Sequence, residues 1–205
     1  MDYIYSDPFV DYYRDRMVEH LHYYYFENLF TEEELDYIIQ WGELSDQSEG
    51  EVGGGESGLH IVPEIRKSTV GWIDISDNTK WIFDRLALGT LEANEEMRWN
   101  FDLIGFGDTL QYTQYFGEQE GHYSWHADIG PGVSHRKLSI IVQLSDEEDY
   151  EGGDVALKIG SRDLILPKKR GGVIIFPSFI LHRVLPVTEG NRKSLVAWIS
   201  GPNYK

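Results

Sequence analysis

The chain of 205 residues contains no cysteine. This absence excludes disulfide bonds, zinc sites with thiolate ligands and thiol nucleophiles. Basic residues are also scarce, with 18 Lys and Arg against 35 Asp and Glu, so the formal net charge is −17. Because nucleic acids and anionic membranes are bound largely through Lys and Arg, the composition argues against both as partners.

Long apolar runs are missing as well. The first twenty residues, MDYIYSDPFVDYYRDRMVEH, have neither a basic start nor an apolar stretch. They predict no secretory signal and no membrane span, which favours a soluble cytoplasmic protein without an obligate partner. The hydrophobic fraction of 41% and the aromatic fraction of 14% predict a folded globule. The length suits one domain covering residues 1–205.

Two helices are predicted in the first hundred residues, which are expected to support the rest of the fold. In FTEEEL, Thr31 can cap a helix, and Glu34, three residues later, completes a capping box. A second helix is expected from Asn78 to about Leu91. Between the two, the glycine-rich segment 45–58 reads as a mobile loop, with a flexible linker as the alternative.

From residue 101 onward, short segments rich in β-branched and aromatic residues predict strands. These segments are LQYTQYF, KLSIIVQL, DVALKIG, GVIIFP, RVLPV and SLVAWI. The stretch YEGGDV predicts a hairpin turn at Gly152–Gly153. Helices followed by closely spaced strands predict an α+β protein with a sandwich or barrel-like β core, and they leave no room for βαβ crossovers.

The stretch HYSWHADIG places a histidine two residues before an aspartate. On a β-strand, His126 and Asp128 would point to the same face, roughly 7 Å apart along the strand. The pair is either a surface ion pair or part of a metal site. His182, in FPSFILHRV, offers a third ligand, although a satisfied core histidine is the plainer interpretation. Two histidines and one carboxylate form the ligand set of non-haem iron(II) enzymes.

Arg192 follows His182 by ten residues, beyond a turn at residues 186–190. A guanidinium on the returning strand can bind a carboxylate through two hydrogen bonds, which a lysine does less specifically. A solvated arginine on a strand is the alternative. The occurrence of these residues together and in this order favours a site over the separate structural interpretations.

The surroundings of these residues resemble a known family. The stretches QYFGEQEGHYSWHAD, RKLSIIVQLS, YEGGDV and GGVIIFPSFILHRVLPVTEGNRKSLVAW are similar to those of iron(II)/2-oxoglutarate dioxygenases of the prolyl 4-hydroxylase and PKHD-type hydroxylase group. FENLFTEEELDYII and EIRKSTVGWI resemble upstream parts of that family more loosely. The resemblance implies a double-stranded β-helix, also called a jelly-roll or cupin-like fold, with supporting N-terminal helices.

The resemblance also implies roles for individual residues. The expected catalytic set comprises the iron ligands His126, Asp128 and His182, together with Arg192, which would bind the distal carboxylate of 2-oxoglutarate. Further contacts to that co-substrate are expected from Tyr115, Gln143, Tyr112 and Ser194. Contacts to the substrate are expected from Arg66, Ser68, Tyr123 and Trp125. Core packing is the alternative for Tyr112, Ser194 and Trp125, and a plain surface strand for Arg66 and Ser68.

The activity implied by the resemblance is hydroxylation of an unactivated C–H bond. Iron(II), 2-oxoglutarate and O2 would be required, with ascorbate as a reductant, and succinate and CO2 would be the products. The expected substrate is a prolyl residue in a peptide or protein. A small molecule or free amino acid is one alternative, and a non-catalytic β-barrel binding protein is another. The glycine-rich loop around Gly53–Gly55 could close over the substrate as a lid, and a loop that is merely flexible is the alternative.

One position separates this chain from the nucleic-acid demethylases of the same superfamily. Those enzymes carry a second arginine six residues after the first. The corresponding residue here is Trp198. Together with the acidic composition, this difference argues against DNA or RNA as the substrate.

Overall fold

The structure, a computed structural model, describes residues 22–53 and 58–204. Its α-helices are α1 (Glu32–Leu44) and α2 (Lys80–Glu96), and a short 3-10 helix covers Gly117–Gln119. The strands of the first half are β1 (Tyr24–Phe26), β2 (Ser48–Glu49), β3 (Val52–Gly53), β4 (Leu59–His60), β5 (Arg66–Lys67), β6 (Thr69–Ile73) and β7 (Gly105–Phe106). The later strands are β8 (Leu110–Phe116), β9 (His122–His126), β10 (Arg136–Gln143), β11 (Tyr150–Gly152), β12 (Val155–Ile159), β13 (Arg162–Ile165), β14 (Val173–Pro177), β15 (His182–Val184) and β16 (Val187–Ser200).

Helix α1 begins with the predicted capping box. The Thr31 hydroxyl accepts a hydrogen bond from the Glu34 N–H, and the Glu34 carboxylate accepts one from the Thr31 N–H. Two of the otherwise unpaired N–H groups of the first turn are thereby satisfied. Helix α2 begins later and extends further than the predicted Asn78 to Leu91.

The strands form two main sheets. The larger sheet has the order β1-β14-β10-β16-β8-β6-β2, with β7 and β11 also paired to β16. The smaller sheet has the order β13-β12-β15-β9-β5, and β3 pairs with β4 alone. One core packs α1 and α2 on the larger sheet, and a second core lies between the two sheets. Two facing sheets agree with the predicted jelly-roll core.

Alternation along the central strands decides which side chains can reach the space between the sheets. On β10, Leu138, Ile140 and Val142 belong to the helix-side core, whereas Ile141 belongs to the core between the sheets. Successive side chains of a strand point to opposite faces. Ser139 and Gln143 therefore share the face of Ile141, towards the smaller sheet.

The predicted hairpin at Gly152–Gly153 is wrong. Strand β11 pairs with β16 of the larger sheet, whereas β12 pairs with β13 and β15 of the smaller sheet. The chain thus changes sheets at these residues. Both glycines have positive φ angles, 73° and 64°, which glycine adopts without steric cost.

The segment 45–58, predicted to be a mobile loop, contains short paired strands among its described residues. Ser48–Glu49 pair with β6, and Val52–Gly53 pair with Leu59–His60. Backbone hydrogen bonds form these short pairs, so polar side chains do not prevent them. Residues 54–57, which include most of the predicted lid, lie outside the described residues, and lid closure stays a prediction.

The described helices can be compared with the expectation that the chain has no membrane span. No helix within the described ranges combines the length and hydrophobicity that a membrane crossing needs. The N-terminal stretch that predicts the absence of a secretory signal lies outside the described residues.

Candidate metal centre and co-substrate pocket

Three predicted metal ligands lie together at one end of the space between the sheets. One potential ligand atom from each of His126, Asp128 and His182 lies within 4.8 Å of the others. His126 ends β9 and pairs directly with His182, which begins β15. Neighbouring antiparallel strands therefore bring the two imidazoles side by side, with ring centroids 4.1 Å apart.

Asp128 is positioned near the histidines by the chain that follows β9, and not by the strand itself. Strand β9 ends at His126, so the expectation that both residues lie on one strand face is wrong. The Asp128 N–H donates to the Ser178 carbonyl at 3.0 Å, which ties the chain beyond β9 to the segment after β14. The carboxylate oxygens then lie 3.8 Å from His126 Nε2 and 3.5 Å from His182 Nε2.

Backbone carbonyls set the tautomer of both histidines. His126 Nδ1 lies 2.8 Å from the Ser124 carbonyl oxygen, and His182 Nδ1 lies 3.0 Å from that of Ile180. A carbonyl can only accept, so each Nδ1 carries a proton, and Nε2 is the ring nitrogen that faces Asp128 in both histidines. Burial lowers the pKa of His126 to about 3, and the neighbouring His182 adds to the shift. The His126 ring is therefore neutral at neutral pH, as a metal ligand must be.

The Asp128 carboxylate is buried and ionised. Burial by itself raises its pKa, but the two imidazoles and a hydrogen bond from Ser139 lower it, and the net shift is downward. The Trp198 indole N–H also lowers this pKa, although it makes no hydrogen bond of standard geometry. One anionic oxygen donor and two neutral nitrogen donors suit a divalent ion such as iron(II).

A cleft of about 860 Å³ opens beside the triad. Arg192, on β16, lines the same cleft and is only 1% exposed. None of the ion pairs among the described residues involves Arg192. Its Nε is also without a hydrogen-bond partner. A buried guanidinium of this kind needs an anion, because an uncompensated buried charge is costly.

Gln143 contacts Arg192 and orients it. The amide oxygen of Gln143 accepts a hydrogen bond from Arg192 Nη2 at 2.8 Å, and the amide nitrogen donates to the Pro167 carbonyl at 3.0 Å. Ser194 accepts a longer bond from Nη1, at 3.4 Å. Tyr115 lines the cleft, with its ring centroid 5.5 Å from the guanidinium carbon. Three of the four residues expected to contact 2-oxoglutarate, Tyr115, Gln143 and Ser194, thus lie around the Arg192 side chain.

The predicted proximity of Tyr112 to the co-substrate is wrong. Tyr112 belongs to the helix-side core and is fully buried there. Its ring packs against Gly42 of α1, where an added Cβ would lie 2.3 Å from a ring atom. Tyr112 and Tyr115 are three positions apart on β8, so their side chains point to opposite faces of the sheet.

Tyr123 and Trp125 also lie on different sides of β9. Tyr123 lines the cleft and stacks on His126, with ring centroids 3.5 Å apart. A bulge between the pairs His126–His182 and Tyr123–Val184 brings these two residues, three positions apart, to the same face. Trp125 instead lies between two cations, Arg183 and Lys158, and is not among the cleft-lining residues. Contact between Trp125 and the substrate stays a prediction.

Arg66 is the second buried guanidinium of the cleft. It is 7% exposed, its Nε donates to Ser68 at 2.8 Å, and its guanidinium lies over the Tyr123 ring. No ion pair among the described residues involves it. The alternative that Arg66 lies on a plain surface strand is thus wrong. Ser68 is buried and holds Arg66 without lining the cleft itself.

Three residues of the site were not predicted from the sequence. Ser139 and Ser178 contact Asp128, and a Cβ added at Gly153 would lie 2.9 Å from Arg192 Cδ. The only signal for Ser139 is a hydroxyl in the otherwise apolar run LSIIV, on the face that also carries Gln143. Ser178 and Gly153 depend on contacts between segments that are distant in sequence.

The sequence matches the 2OG-Fe(II) oxygenase superfamily over residues 110–200, which include the triad and Arg192. A PKHD-type hydroxylase of Colwellia psychrerythraea is 28% identical over 154 residues, covering 65% of each chain. A PKHD-type hydroxylase of Synechococcus sp. is 41% identical over 113 residues, covering 53% of this chain and 51% of the relative. The chain thus spans about half to two-thirds of the length of these relatives.

Solved structures share the fold over most of the chain. A Pseudomonas putida prolyl-4-hydroxylase has a TM-score of 0.69 at 16% identity, covering 92% of this chain and 97% of that protein. A prolyl hydroxylase of Trichoplax adhaerens, solved with a peptide fragment of hypoxia inducible factor, has a TM-score of 0.72 at 14% identity, covering 98% and 96%. These neighbours confirm the predicted jelly-roll core, and the sequence matches confirm the resemblance.

Proposed function

We propose that this protein is an iron(II)- and 2-oxoglutarate-dependent dioxygenase that hydroxylates a prolyl residue of a peptide or protein. The match of residues 110–200 to the 2OG-Fe(II) oxygenase superfamily supports this proposal. The observation that carries the proposal is the convergence of two unlike groups on one cleft. The triad offers a carboxylate and two imidazole lone pairs, and Arg192 offers a buried guanidinium without a described acidic partner.

Each group has a separate task. His126, Asp128 and His182 would hold the metal ion, and Arg192, oriented by Gln143, would bind the distal carboxylate of 2-oxoglutarate. When bound, iron(II) with 2-oxoglutarate and O2 supplies the oxidation that inserts one oxygen atom into a C–H bond and yields succinate and CO2. Tyr115 and Tyr123 line the cleft and would exclude water from it.

The choice of a peptide substrate rests on several kinds of support. The cleft of about 860 Å³ is large enough for a co-substrate and part of a second molecule. The PKHD-type relatives are hydroxylases by name, and the Trichoplax adhaerens neighbour was solved with a peptide. Arg66, with no described acidic partner, faces the cleft beside Tyr123, where a backbone carbonyl or carboxylate of a peptide could accept from it.

The direct test is succinate formation from 2-oxoglutarate with iron(II) and ascorbate, with and without proline-rich peptides. We expect turnover that depends on metal and rises when a suitable peptide is present, together with a mass gain of one oxygen atom in that peptide. Treating a peptide library and measuring the same mass gain would identify the substrate.

Two other outcomes would redirect the proposal. Turnover that no peptide stimulates would favour a small molecule or free amino acid as the substrate. The absence of turnover with any substrate, together with tight metal and 2-oxoglutarate binding, would favour a non-catalytic binding protein.

Replacing Arg66 with glutamine tests the substrate side of the cleft. We expect the KM for peptide to rise about 10- to 100-fold, because a hydrogen bond to a charged group contributes about 1.5–3 kcal/mol. The affinity for 2-oxoglutarate should remain unchanged, since Arg192 is a separate side chain on another strand. Initial rates at varied peptide and co-substrate concentrations measure both quantities.

The matched control for Arg66 is Arg162→Gln, which changes an exposed arginine on the edge strand β13. That variant should keep the wild-type KM for peptide. An unchanged peptide KM in Arg66→Gln would remove Arg66 from the substrate site, and an equal loss in both variants would indicate a general charge effect.

A further inference from the structure

Two buried hydroxyl groups connect the Asp128 carboxylate to the larger sheet. Ser139 Oγ donates to Asp128 Oδ2 at 2.6 Å, and Ser139 Oγ lies 2.9 Å from Ser178 Oγ. Both serine side chains are fully buried. Ser139 lies on β10, where it pairs with Phe176 of β14 and Trp198 of β16, so its backbone is held on both sides.

The acceptor-only carboxylate sets the direction of both hydrogen bonds. An ionised Asp128 has no proton to give, so the Ser139 proton points to Oδ2. The remaining lone pairs of Ser139 Oγ then accept the proton of Ser178. The order is therefore Ser178 to Ser139 to Asp128, and each bond polarises the next.

Ser178 also joins the segments that carry two members of the triad. Its carbonyl accepts from the Asp128 N–H at 3.0 Å, and its own N–H donates to the Lys137 carbonyl at 2.9 Å. His182 follows four residues later, at the start of β15. Ser139 and Ser178 together therefore restrain both the backbone and the carboxylate of Asp128.

We propose that Ser139 is a positioning residue of the metal centre, which holds Oδ2 of Asp128 by hydrogen bonding so that the carboxylate faces the imidazoles, with Ser178 supporting it. The inference rests on the proposed metal role of the triad. The expected effect of losing Ser139 is a lower metal affinity. Without its hydrogen bond the Asp128 carboxylate can rotate, and it must then be ordered again when it binds an ion. Residues that orient metal ligands in this way typically change metal affinity or activity by about 10- to 100-fold when they are removed.

The test is Mn(II) binding by isothermal titration calorimetry, without co-substrate, to the wild-type protein and to Ser139→Ala. We expect the dissociation constant of Ser139→Ala to rise about 10-fold or more. Ser139→Thr keeps a hydroxyl and should bind nearly as the wild type does. Ser178→Ala should weaken binding in the same direction but less, and it serves as the test if Ser139→Ala does not fold.

A matched control removes a buried hydroxyl elsewhere. Thr90 Oγ1 donates to the Leu86 carbonyl at 2.7 Å within α2, away from the cleft, so Thr90→Val should leave Mn(II) affinity unchanged. Wild-type affinity in folded Ser139→Ala, with at most a lower melting temperature, would overturn the inference and leave only a structural role. If the wild-type protein binds Mn(II) no better than Asp128→Ala, the proposed function itself fails.

Discussion

Replacing Asp128 with alanine is expected to reduce succinate formation by at least about 1,000-fold, because a metal ion contributes several kcal/mol and each 1.36 kcal/mol is a factor of ten. Asp128 supplies the one carboxylate of the triad. Its loss leaves two imidazoles and no anionic ligand in the triad. The His126 ring stacks on Tyr123, and the His182 ring packs against the edge of Phe176. Initial rates over a range of iron(II) concentrations, with Mn(II) affinity measured separately, will test this expectation.

The control for Asp128→Ala is Asp163→Ala. Asp163 is partly exposed and bonds Lys158 and Arg183 in the smaller sheet, so its loss should leave turnover unchanged. His126→Ala should match Asp128→Ala, whereas His122→Ala, which alters an imidazole bound to backbone carbonyls, should not. Metal-dependent turnover at the wild-type rate in Asp128→Ala would rule out the proposed ligand role.

Several parts of the fold and of the site could be predicted because their signals are local. Thr31 and Glu34 form their capping box within one turn of helix. His182 and Arg192 lie on β15 and β16, which follow each other in the chain and belong to different sheets, so the sequence shows their order directly. The expectation that Asp128 continues strand β9 is wrong, because β9 ends at His126. The triad still converges, because the Asp128 N–H donates to the Ser178 carbonyl and so holds the chain beyond β9 near His182.

Other parts depend on pairings that no local pattern encodes. The bulge in β9 places Tyr123 and Trp125 on different sides of the strand, and it depends on the pairing of β9 with β15. The glycines after Tyr150 resemble a hairpin turn, but the partner of β11 is β16, which is distant in sequence. Tyr112 is a different case, because simple alternation from Tyr115 already excludes it from the cleft.

Replacing Arg192 with alanine is expected to weaken 2-oxoglutarate binding about 100-fold, since truncating one partner of a buried charge pair costs about 2–5 kcal/mol and 1.4 kcal/mol is tenfold. The guanidinium is almost fully buried, and Gln143 already holds one of its nitrogens, so the co-substrate carboxylate would meet a fixed donor. The KM for 2-oxoglutarate, and the affinity of an unreactive diacid analogue in the Mn(II) form, are the measurements.

Arg192→Lys provides the graded comparison, because it keeps the charge but loses the planar pair of donors. We expect its affinity for 2-oxoglutarate to lie between those of the wild type and Arg192→Ala. A 2-oxo acid without the distal carboxylate, such as 2-oxovalerate, is the matched ligand, and its weak binding should be the same in all three proteins. If Arg192→Ala weakened both acids equally, the arginine would act through general folding of the cleft. If it weakened neither, the distal carboxylate would have to bind elsewhere, and the assignment of Arg192 would be wrong.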